Sequence, residues 1–545
     1  MQPAVPPLDV TPEELETLLE GVREALGEAG YQKLKAAIRT LSYVTELLEN
    51  REATLQSLRR LLCRARSEKT EAVMEQAGIP SSPTQGKPEA KETTKKPDIG
   101  HGRNGAQAYH GACHVQVPHL SLHQGDRCPE CQRGKVYPLK EPGLLVRMRG
   151  QAPIAATVHE LEKLRCNLCG EVFTANPPNG VGEEKYDVTA ASMIALLRYG
   201  SGFPWNRLAD LEASLGIPLP VATQCEIVVE AAATMQPAME ELIRQAAQGE
   251  VLHNDDTSMP VLALRRKQAM DTDEEEGDTP ERTGVFTSGI VSTAQKKTIA
   301  LFFTGRQHAG ENLADVLQRR AAELAPPLQM CDALSRNLPK LPENLQVIVG
   351  HCLAHARRRF VEVTPNFPEP CRHVLEQLGE IYGNDAVARE QVMTPEERLR
   401  FHQRQSASVM EQLHTWLATQ FAEKKVEPNS GLGVAMRYLL KHWERLTLFL
   451  RQPGAPLDNN ICERALKKAI LHRKNSLFYK TENGAHVGDL FMSLIHTCEL
   501  SDTNPFDYLT QLQRHAGELA HNPSQWMPWN YPVTLESPGA RLDSS

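Results

Sequence analysis

The sequence has few aromatic residues and no long apolar run. Phe, Trp and Tyr make up 5% of the 545 residues, although 41% of the chain is hydrophobic. No apolar stretch approaches the roughly 18 residues that a membrane-spanning helix requires, so we expect no contact with a membrane. The N-terminal segment carries Asp9, Glu13, Glu14 and Glu16 where a signal peptide has basic and apolar regions. These absences favour a cytoplasmic protein of several domains.

A disulfide framework is not expected either, although the chain has 12 cysteines. Without a secretory context, cysteines are more commonly free thiols or metal ligands. Cys128 pairs with Cys131 and Cys166 with Cys169 in two Cys-x-x-Cys motifs that are 34 residues apart. Four thiolates at this spacing suit one tetrahedral, structural Zn²⁺, because a closed ligand set leaves no position for water. A redox Cys-x-x-Cys pair is the alternative.

The chain also lacks the positive charge of a protein that coats nucleic acid, since its net charge is −8. This average conceals local bias. Residues 271–281 contain seven acids, which is typical of a solvated loop, whereas residues 463–474 contain five Lys or Arg and one Glu. Because local fields steer a polyanion, the basic segment is a candidate DNA-binding surface.

Leucines recur at seven-residue intervals near the N-terminus and predict a coiled coil that self-associates as a dimer or a higher oligomer. A lone amphipathic helix is the alternative. Residues 205–235 read as two helices joined at Gly216, which resembles a helix-turn-helix, although such pairs are more often plain packing. The predicted regions are a helical 1–78 with the zipper at about 34–66, a Pro/Gly/His-rich linker 79–125, a zinc ribbon 126–175, a helix-turn-helix-like candidate DNA-binding region 185–245, an α/β domain 249–500 and a C-terminal extension 501–545.

The pattern within 249–500 predicts an α/β domain, so together with the other regions we expect a multi-domain α/β protein. Segments 249–264, 283–293 and 296–305 read as strands, 310–324 as a helix and 327–335 as a fourth strand. This order matches the opening of a ribonuclease-H-like mixed sheet. Residues at about 370–450 are mostly helical and predict a helical insertion before the helix that contains Glu463.

Three acids occupy positions where they can converge on divalent cations. Phosphodiester chemistry commonly uses two ions about 4 Å apart, and Mg²⁺ needs few carboxylates because it retains water ligands. The candidates are Asp255 or its neighbour Asp256, Asp332 at the end of the fourth strand, and Glu463. Strand alternation alone does not choose between the first two. Glu463 has a second interpretation, because Asn460 and Glu463 fit a capping box at a helix start.

The sequence resembles the IS66 family of transposases over almost its whole length. The resemblance rests on LRRLLCRARSEK, HGR, CPEC, CNLC, HNDDT, QMCDA, HCLAHARRRF, DNNICERAL and HRKNSLF, which occur in that order. It implies a DDE-type, ribonuclease-H-like catalytic domain that uses two Mg²⁺ or Mn²⁺ ions. It also implies that Asp255, Asp332 and Glu463 are the catalytic metal ligands and leaves the role of Asp256 open.

Basic residues near these acids are the candidate DNA contacts, although a solvated basic face is the alternative. They are Arg464, Lys467, Lys468, Arg473, Lys474, Arg357 and Arg358. Cys352 and His355 form a Cys-x-x-His pair with no further local ligand, so a structural role or a position close to DNA is favoured.

The predicted function is that of a bacterial, DNA-associated transposase that binds the ends of its element and joins them to target double-stranded DNA. The resemblance further implies companion proteins encoded by the same element as candidate partners. A catalytically inactive regulator that only binds DNA is one alternative. A hydrolytic nuclease of the same fold is another, and an assay of joining, binding and cleavage separates the three.

Overall fold

The computed structural model describes most of residues 115–139, 152–264 and 284–536, together with 31, 32, 70, 73 and 74. The predicted zipper, most of the linker, the acidic segment 271–281 and Cys166 lie outside the described residues. The chain forms two compact units. The smaller comprises 1–82 and 353–443, and the larger comprises 83–352 and 444–545. No helix in the described parts of the chain is both long enough and apolar enough to span a membrane.

The first regular strands and helices of the larger unit, in the described residues, are a small hairpin and a set of helices. Strands β1 (Lys163–Arg165) and β2 (Val172–Thr174) pair antiparallel. The helices that follow are α1 (Val188–Ala195), a π-helical turn (Leu196–Gly200), α2 (Trp205–Ser214) and α3 (Val221–Ala246). The side chain of Asp187 accepts a hydrogen bond from Ala190 N (3.0 Å) and so caps the start of α1.

A five-stranded mixed sheet forms the centre of this unit. Its strands are β3 (Val251–Ser258), β4 (Phe286–Ala294), β5 (Lys297–Gly305), β6 (Leu328–Cys331) and β7 (Ile348–His351). Helix α4 (Ala309–Leu317) connects β5 to β6. The order across the sheet is β5-β4-β3-β6-β7, with β3, β4 and β5 antiparallel and β3, β6 and β7 parallel.

The predicted elements are present with altered ends. The predicted helix 310–324 is too long, because α4 ends at Leu317 and Arg320 then turns into the fold. The Arg320 guanidinium donates hydrogen bonds to the carbonyl oxygens of Ala247 (2.7 Å) and Gly249 (2.8 Å). The predicted strand 327–335 is likewise too long, since β6 ends at Cys331 and a 3₁₀ turn follows at Ser335–Asn337.

Five helices make up most of the described part of the smaller unit. They are α5 (Leu353–Val363), α6 (Pro368–Glu390), α7 (Pro395–Gln405), α8 (Ala407–Ala422) and α9 (Gly431–Lys441). Asp385 on α6 is buried and pairs with Arg398 on α7 (2.6 Å). A buried carboxylate needs such a partner, so this ion pair fixes α6 against α7.

The chain returns to the larger unit within the short helix α10 (Trp443–Leu446), and α11 (Asn460–Ser476) and α12 (Glu482–Leu500) follow. Three polar side chains of α12 cover the backbone of the edge strand β5. Thr497 Oγ1, Ser493 Oγ and Asp489 Oδ2 accept hydrogen bonds from the backbone N–H groups of Ala300 (3.1 Å), Phe302 (2.9 Å) and Thr304 (2.6 Å), respectively. Every fourth residue of α12 lies on one face of the helix, and every second residue of β5 directs its N–H group to that face. These N–H groups are therefore not available for pairing with another chain.

The C-terminal residues pack into the same core. They form α13 (Pro505–Arg514), α14 (Ala516–His521) and α15 (Tyr531–Glu536). Tyr508 and Trp526 are fully buried, and the Tyr508 hydroxyl donates to the Trp526 carbonyl oxygen (2.8 Å). Thr510 Oγ1 donates to Ser192 Oγ on α1 (3.0 Å). The segment 501–536 is therefore an integral part of the larger unit.

Candidate functional site

Two carboxylates meet where the neighbouring parallel strands β3 and β6 end. Asp255 lies near the end of β3, and Asp332 directly follows β6. The side-chain amide of Asn337 donates from Nδ2 to Asp255 Oδ1 (3.2 Å) and to Asp332 Oδ1 (2.5 Å). Because the carboxyl ends of parallel strands lie at the same sheet edge, two acids far apart in sequence share one neighbour.

The carboxylate of Asp255 lies in an electrostatically unfavourable environment. Burial and then the nearby charge of Asp332 raise the pKa of Asp255 to about 7. No salt bridge to Asp255 or Asp332 is found among the described residues. Neighbouring carboxylates whose pKa is raised by burial and by each other's charge are common in cation-binding and catalytic sites.

Asp256, the next residue along β3, has a different environment. Its carboxylate is buried, with Oδ2 2.9 Å from His308 Nδ1 and Oδ1 3.3 Å from Arg336 Nη2. The His308 ring packs on Phe286 with 4.4 Å between centroids. The carboxylate of Asp256 is therefore paired with basic side chains, whereas the carboxylate of Asp255 lies close to another acid.

Asn337 was not singled out from the sequence. Its backbone carbonyl oxygen accepts hydrogen bonds from Asn254 Nδ2 (2.8 Å) and Gln329 Nε2 (2.7 Å), and Gln329 Nε2 also donates to Asn254 Oδ1 (2.9 Å). These buried amides fix the 3₁₀ turn that carries Asn337. A polar residue five positions after Asp332 has no distinguishing sequence signal, because its importance comes from contacts across the sheet.

The start of α11 is tied to β3 by Asn459. Its Oδ1 lies 3.1 Å from His253 Nδ1, and its Nδ2 donates to the Asn254 carbonyl oxygen (3.1 Å). Burial lowers the pKa of His253 to about 4, so this ring is neutral. The predicted capping box is wrong: the helix begins at Asn460, its N-cap is Asn459, and no side chain caps it.

Glu463 lies in the first turn of α11, where a negative charge is favoured by the helix dipole. One of its carboxylate oxygens is within 4.8 Å of Cys352 Sγ. Cys352 is buried, and its Sγ accepts a hydrogen bond from Asn459 N (3.2 Å). Among the residues the structure describes, Asp255, Asp332 and Glu463 do not form a group whose ligand atoms all lie within 4.8 Å. The structure thus brings two of the three predicted ligands together.

The predicted DNA contacts fall into two groups. Arg464, Lys467 and Lys474 on α11 are exposed. Lys468 instead forms an ion pair with Glu499 (2.7 Å), and Arg473 donates to Thr257 Oγ1 (3.1 Å).

The basic residues of α5 belong to the smaller unit. Arg357 is buried and donates to Thr70 Oγ1 (3.3 Å). Arg358 and His355 are partly buried. Internal contacts therefore account for Arg357 in this unit.

The first cysteine motif forms a tight turn. Cys128 N donates to the Gly134 carbonyl oxygen (2.8 Å), and Gly134 N donates to Cys131 Sγ (3.4 Å). The backbone hydrogen bond from Gly134 is the largest cause that lowers the pKa of the Cys131 thiol. The second motif connects β1 to β2, and Cys169 is exposed. Backbone N–H groups directed at sulfur favour the thiolate, which is the form that binds metal.

The helix pair predicted at 205–235 is formed by α2 and α3, with Gly216 between them at a φ of +80°. One face of α3 is part of the hydrophobic core, and Val228 and Met235 are fully buried there. Leu211 and Leu215 on or after α2 remain partly exposed, at 36% and 48%. The pair is therefore anchored to the core by its longer helix.

Fold and site together define a mixed α/β protein with paired acids at the ends of adjacent parallel strands. The family model described as "Transposase IS66 family" matches residues 185–487, which is more than half of the chain. The chain belongs to the IS66 transposase family.

Its relatives include two proteins of Sinorhizobium fredii (strain NBRC 101917 / NGR234). Uncharacterized protein y4jD is 27% identical over 356 residues, which cover 63% of this chain and 65% of the relative. Uncharacterized protein y4hP is 25% identical over 396 residues, which cover 68% of this chain and 67% of the relative. The chain thus spans about two thirds of the length of these curated relatives. No solved structure matches it significantly.

Proposed function

We propose that this chain is a DNA transposase that binds the ends of an insertion sequence, cleaves them and joins them to target DNA. The observation that carries the proposal is the meeting of Asp255 and Asp332 at adjacent strand ends. The strand order, three antiparallel strands followed by two parallel ones, supports a ribonuclease-H-like sheet. Family membership supports the reaction class.

The donor set fits a divalent cation. Carboxylate oxygens are preferred by Mg²⁺ and Mn²⁺, and Asp255 and Asp332 lack a basic partner among the described residues. We assign Glu463 as the third ligand, because α11 packs on β3 and β4 and carries this acid in its first turn. When bound, two such ions supply activation of the attacking oxygen and stabilisation of the leaving oxygen.

The residues around the acids have separate tasks in this proposal. Asn459 holds the first turn of α11 against β3, so Glu463 stays close to the strand that carries Asp255. The exposed Arg464, Lys467 and Lys474 contact DNA phosphates and position the duplex without reading its sequence.

The proposed reaction has two steps. Water first attacks the phosphodiester at the element end and releases a 3′-hydroxyl. That hydroxyl then attacks a target phosphodiester, so that its oxygen becomes bonded to the target phosphorus while the bond from that phosphorus to the target 3′-oxygen breaks and a target 3′-hydroxyl leaves.

The remaining regions are assigned to recognition and assembly. A zinc ribbon built by Cys128, Cys131, Cys166 and Cys169 and the α2–α3 pair recognise the element ends. The N-terminal zipper pairs subunits so that two ends are processed together, with companion element-encoded proteins where the element supplies them.

Labelled element ends, a plasmid target and Mg²⁺ test the proposal with the purified full chain. Wild type is expected to give joined products, whereas Glu463→Gln keeps end binding and loses joining. Glu323→Gln, which changes an exposed acid between α4 and β6, is the matched control and should behave as wild type. Joining by Glu463→Gln at the wild-type rate would refute the assignment of this ligand. Cleavage without joining by wild type would indicate a nuclease instead.

A further inference from the structure

The amide of Asn337 lies between the two carboxylates. A single NH₂ group, Nδ2, donates to both Asp255 Oδ1 (3.2 Å) and Asp332 Oδ1 (2.5 Å). A group that contacts both acids at these distances occupies the place in which a bridging cation would contact them. In this arrangement the amide protons add positive partial charge to that of the backbone N–H groups of Asp256 and Leu334, which donate to Asp255 Oδ1 (2.8 Å) and Asp332 Oδ1 (3.1 Å), respectively.

The other end of the same amide has no polar contact. Asn337 is completely buried, and its Oδ1 accepts no hydrogen bond. Most buried acceptors are paired, so an unpaired one needs an explanation. The backbone of Asn337 is fixed by Asn254 and Gln329, which leaves rotation of the terminal amide as the available movement. That torsion is broad in asparagine, and turning the amide breaks no hydrogen bond at Oδ1.

We propose that Asn337 is a further ligand of the divalent cation at Asp255 and Asp332. Without metal, Nδ2 holds the two carboxylates together; with metal, the amide turns and presents Oδ1. An NH₂ group directed at a cation is repelled by it, whereas side-chain amide oxygens are established ligands of hard cations. The inference rests on the proposed metal site and adds a neutral fourth donor to its three acids.

Titration of the metal-free full chain with Mn²⁺ in a calorimeter tests this without any measurement of activity. Asn337→Leu removes the donor at similar volume and is expected to weaken Mn²⁺ binding by about ten- to hundredfold. Asn337→Asp presents an oxygen in either orientation and should bind Mn²⁺ several-fold more tightly than wild type. Because the Asp variant is nearly isosteric, it keeps the test available if the Leu variant does not fold.

Asn312→Leu is the matched control. Asn312 is another buried amide of the larger unit, which donates to Ser288 Oγ (2.8 Å) and contacts neither acid. The Asn312→Leu variant should bind Mn²⁺ as wild type does, even if its thermal unfolding midpoint falls. The rise in midpoint produced by Mn²⁺ should be smaller in Asn337→Leu than in Asn312→Leu.

The outcomes separate this inference from the proposed function. If wild type does not bind Mn²⁺, or if Asp332→Asn binds it equally well, the proposed metal site itself is refuted. If Asp332→Asn abolishes binding but Asn337→Leu binds as wild type does, Asn337 is not a ligand. Tighter binding by Asn337→Leu would show that the amide only competes with the cation, and weaker binding by Asn337→Asp would also overturn the inference.

Discussion

Asp489→Asn is expected to remove a pH-dependent loss of stability from the larger unit. Asp489 on α12 is buried and accepts hydrogen bonds from Thr304 N and Thr304 Oγ1, each at 2.6 Å. Burial raises the pKa of Asp489 from 3.8 to about 7, although both hydrogen bonds from Thr304 lower it. The folded protein therefore retains a proton that the unfolded chain releases.

The sign of the effect follows from this difference. The folded state binds more protons between about pH 4 and pH 7, so the contribution of Asp489 is complete below pH 4 and is lost as the pH rises to about 7. At about 1.4 kcal/mol per pKa unit, the loss between about pH 5 and pH 7.5 is about 2 to 3 kcal/mol. Asparagine keeps an acceptor for Thr304 and does not titrate.

Urea unfolding of wild type and Asp489→Asn at these two pH values measures the difference directly. The free energy of unfolding of the variant should rise relative to wild type by about 2 to 3 kcal/mol on going to the higher pH. Asp315→Asn, at an exposed position of α4, serves as the control and should follow wild type. Parallel pH profiles for wild type and Asp489→Asn would refute the reasoning about this buried carboxyl group.

Three further outcomes are expected. Cys131→Ser should reduce bound zinc from about one ion per chain to nearly none, measured by elemental analysis; full retention would contradict a zinc site built from four cysteines. Asn459→Ala should lower the free energy of unfolding by about 1–3 kcal/mol through loss of its bonds to β3, including that to His253. It should also slow joining while end binding persists. Burial and the charge of Arg198 lower the pKa of His472 to about 3. His472→Phe should therefore lose less stability than wild type as the pH falls from 6.5 towards 3, seen in thermal unfolding.

The sequence predicted the elements with strong local patterns. The predicted strand 296–305 has nearly the same bounds as the observed β5, because its apolar residues pack in a sheet that is covered by α12. The short β7 was missed, since four residues give little periodicity and its position depends on parallel pairing with β6. Helix α4 ends earlier than the sequence pattern of 310–324 indicates, because the guanidinium of Arg320 donates hydrogen bonds to the carbonyl oxygens of the residues that follow α3.

The candidate site was also only partly predictable, because contacts between elements that are distant in sequence bring its residues together. Asp255 and Asp332 are visible as acids at strand ends, but only the pairing of β3 with β6 places them beside Asn337. Strand alternation left Asp255 and Asp256 equivalent; their partners differ because His308 and Arg336 approach one face alone. The capping box of Asn460 and Glu463 failed because Asn460 is already the first residue of the helix, and its side-chain amide donates to Asp458 Oδ2 (2.8 Å). The N-cap is Asn459, whose side chain bonds to β3.

The most direct test of the proposed function is Mg²⁺-dependent joining of a labelled element end by Asp332→Asn. The variant removes one charge from the pair of acids and preserves the shape of the side chain. We expect end binding within about twofold of wild type and a loss of joining of at least about a thousandfold, in line with removal of a group that acts in the transition state. Asp315→Asn should join normally. Wild-type joining by Asp332→Asn would contradict the assignment of this strand edge as the catalytic centre.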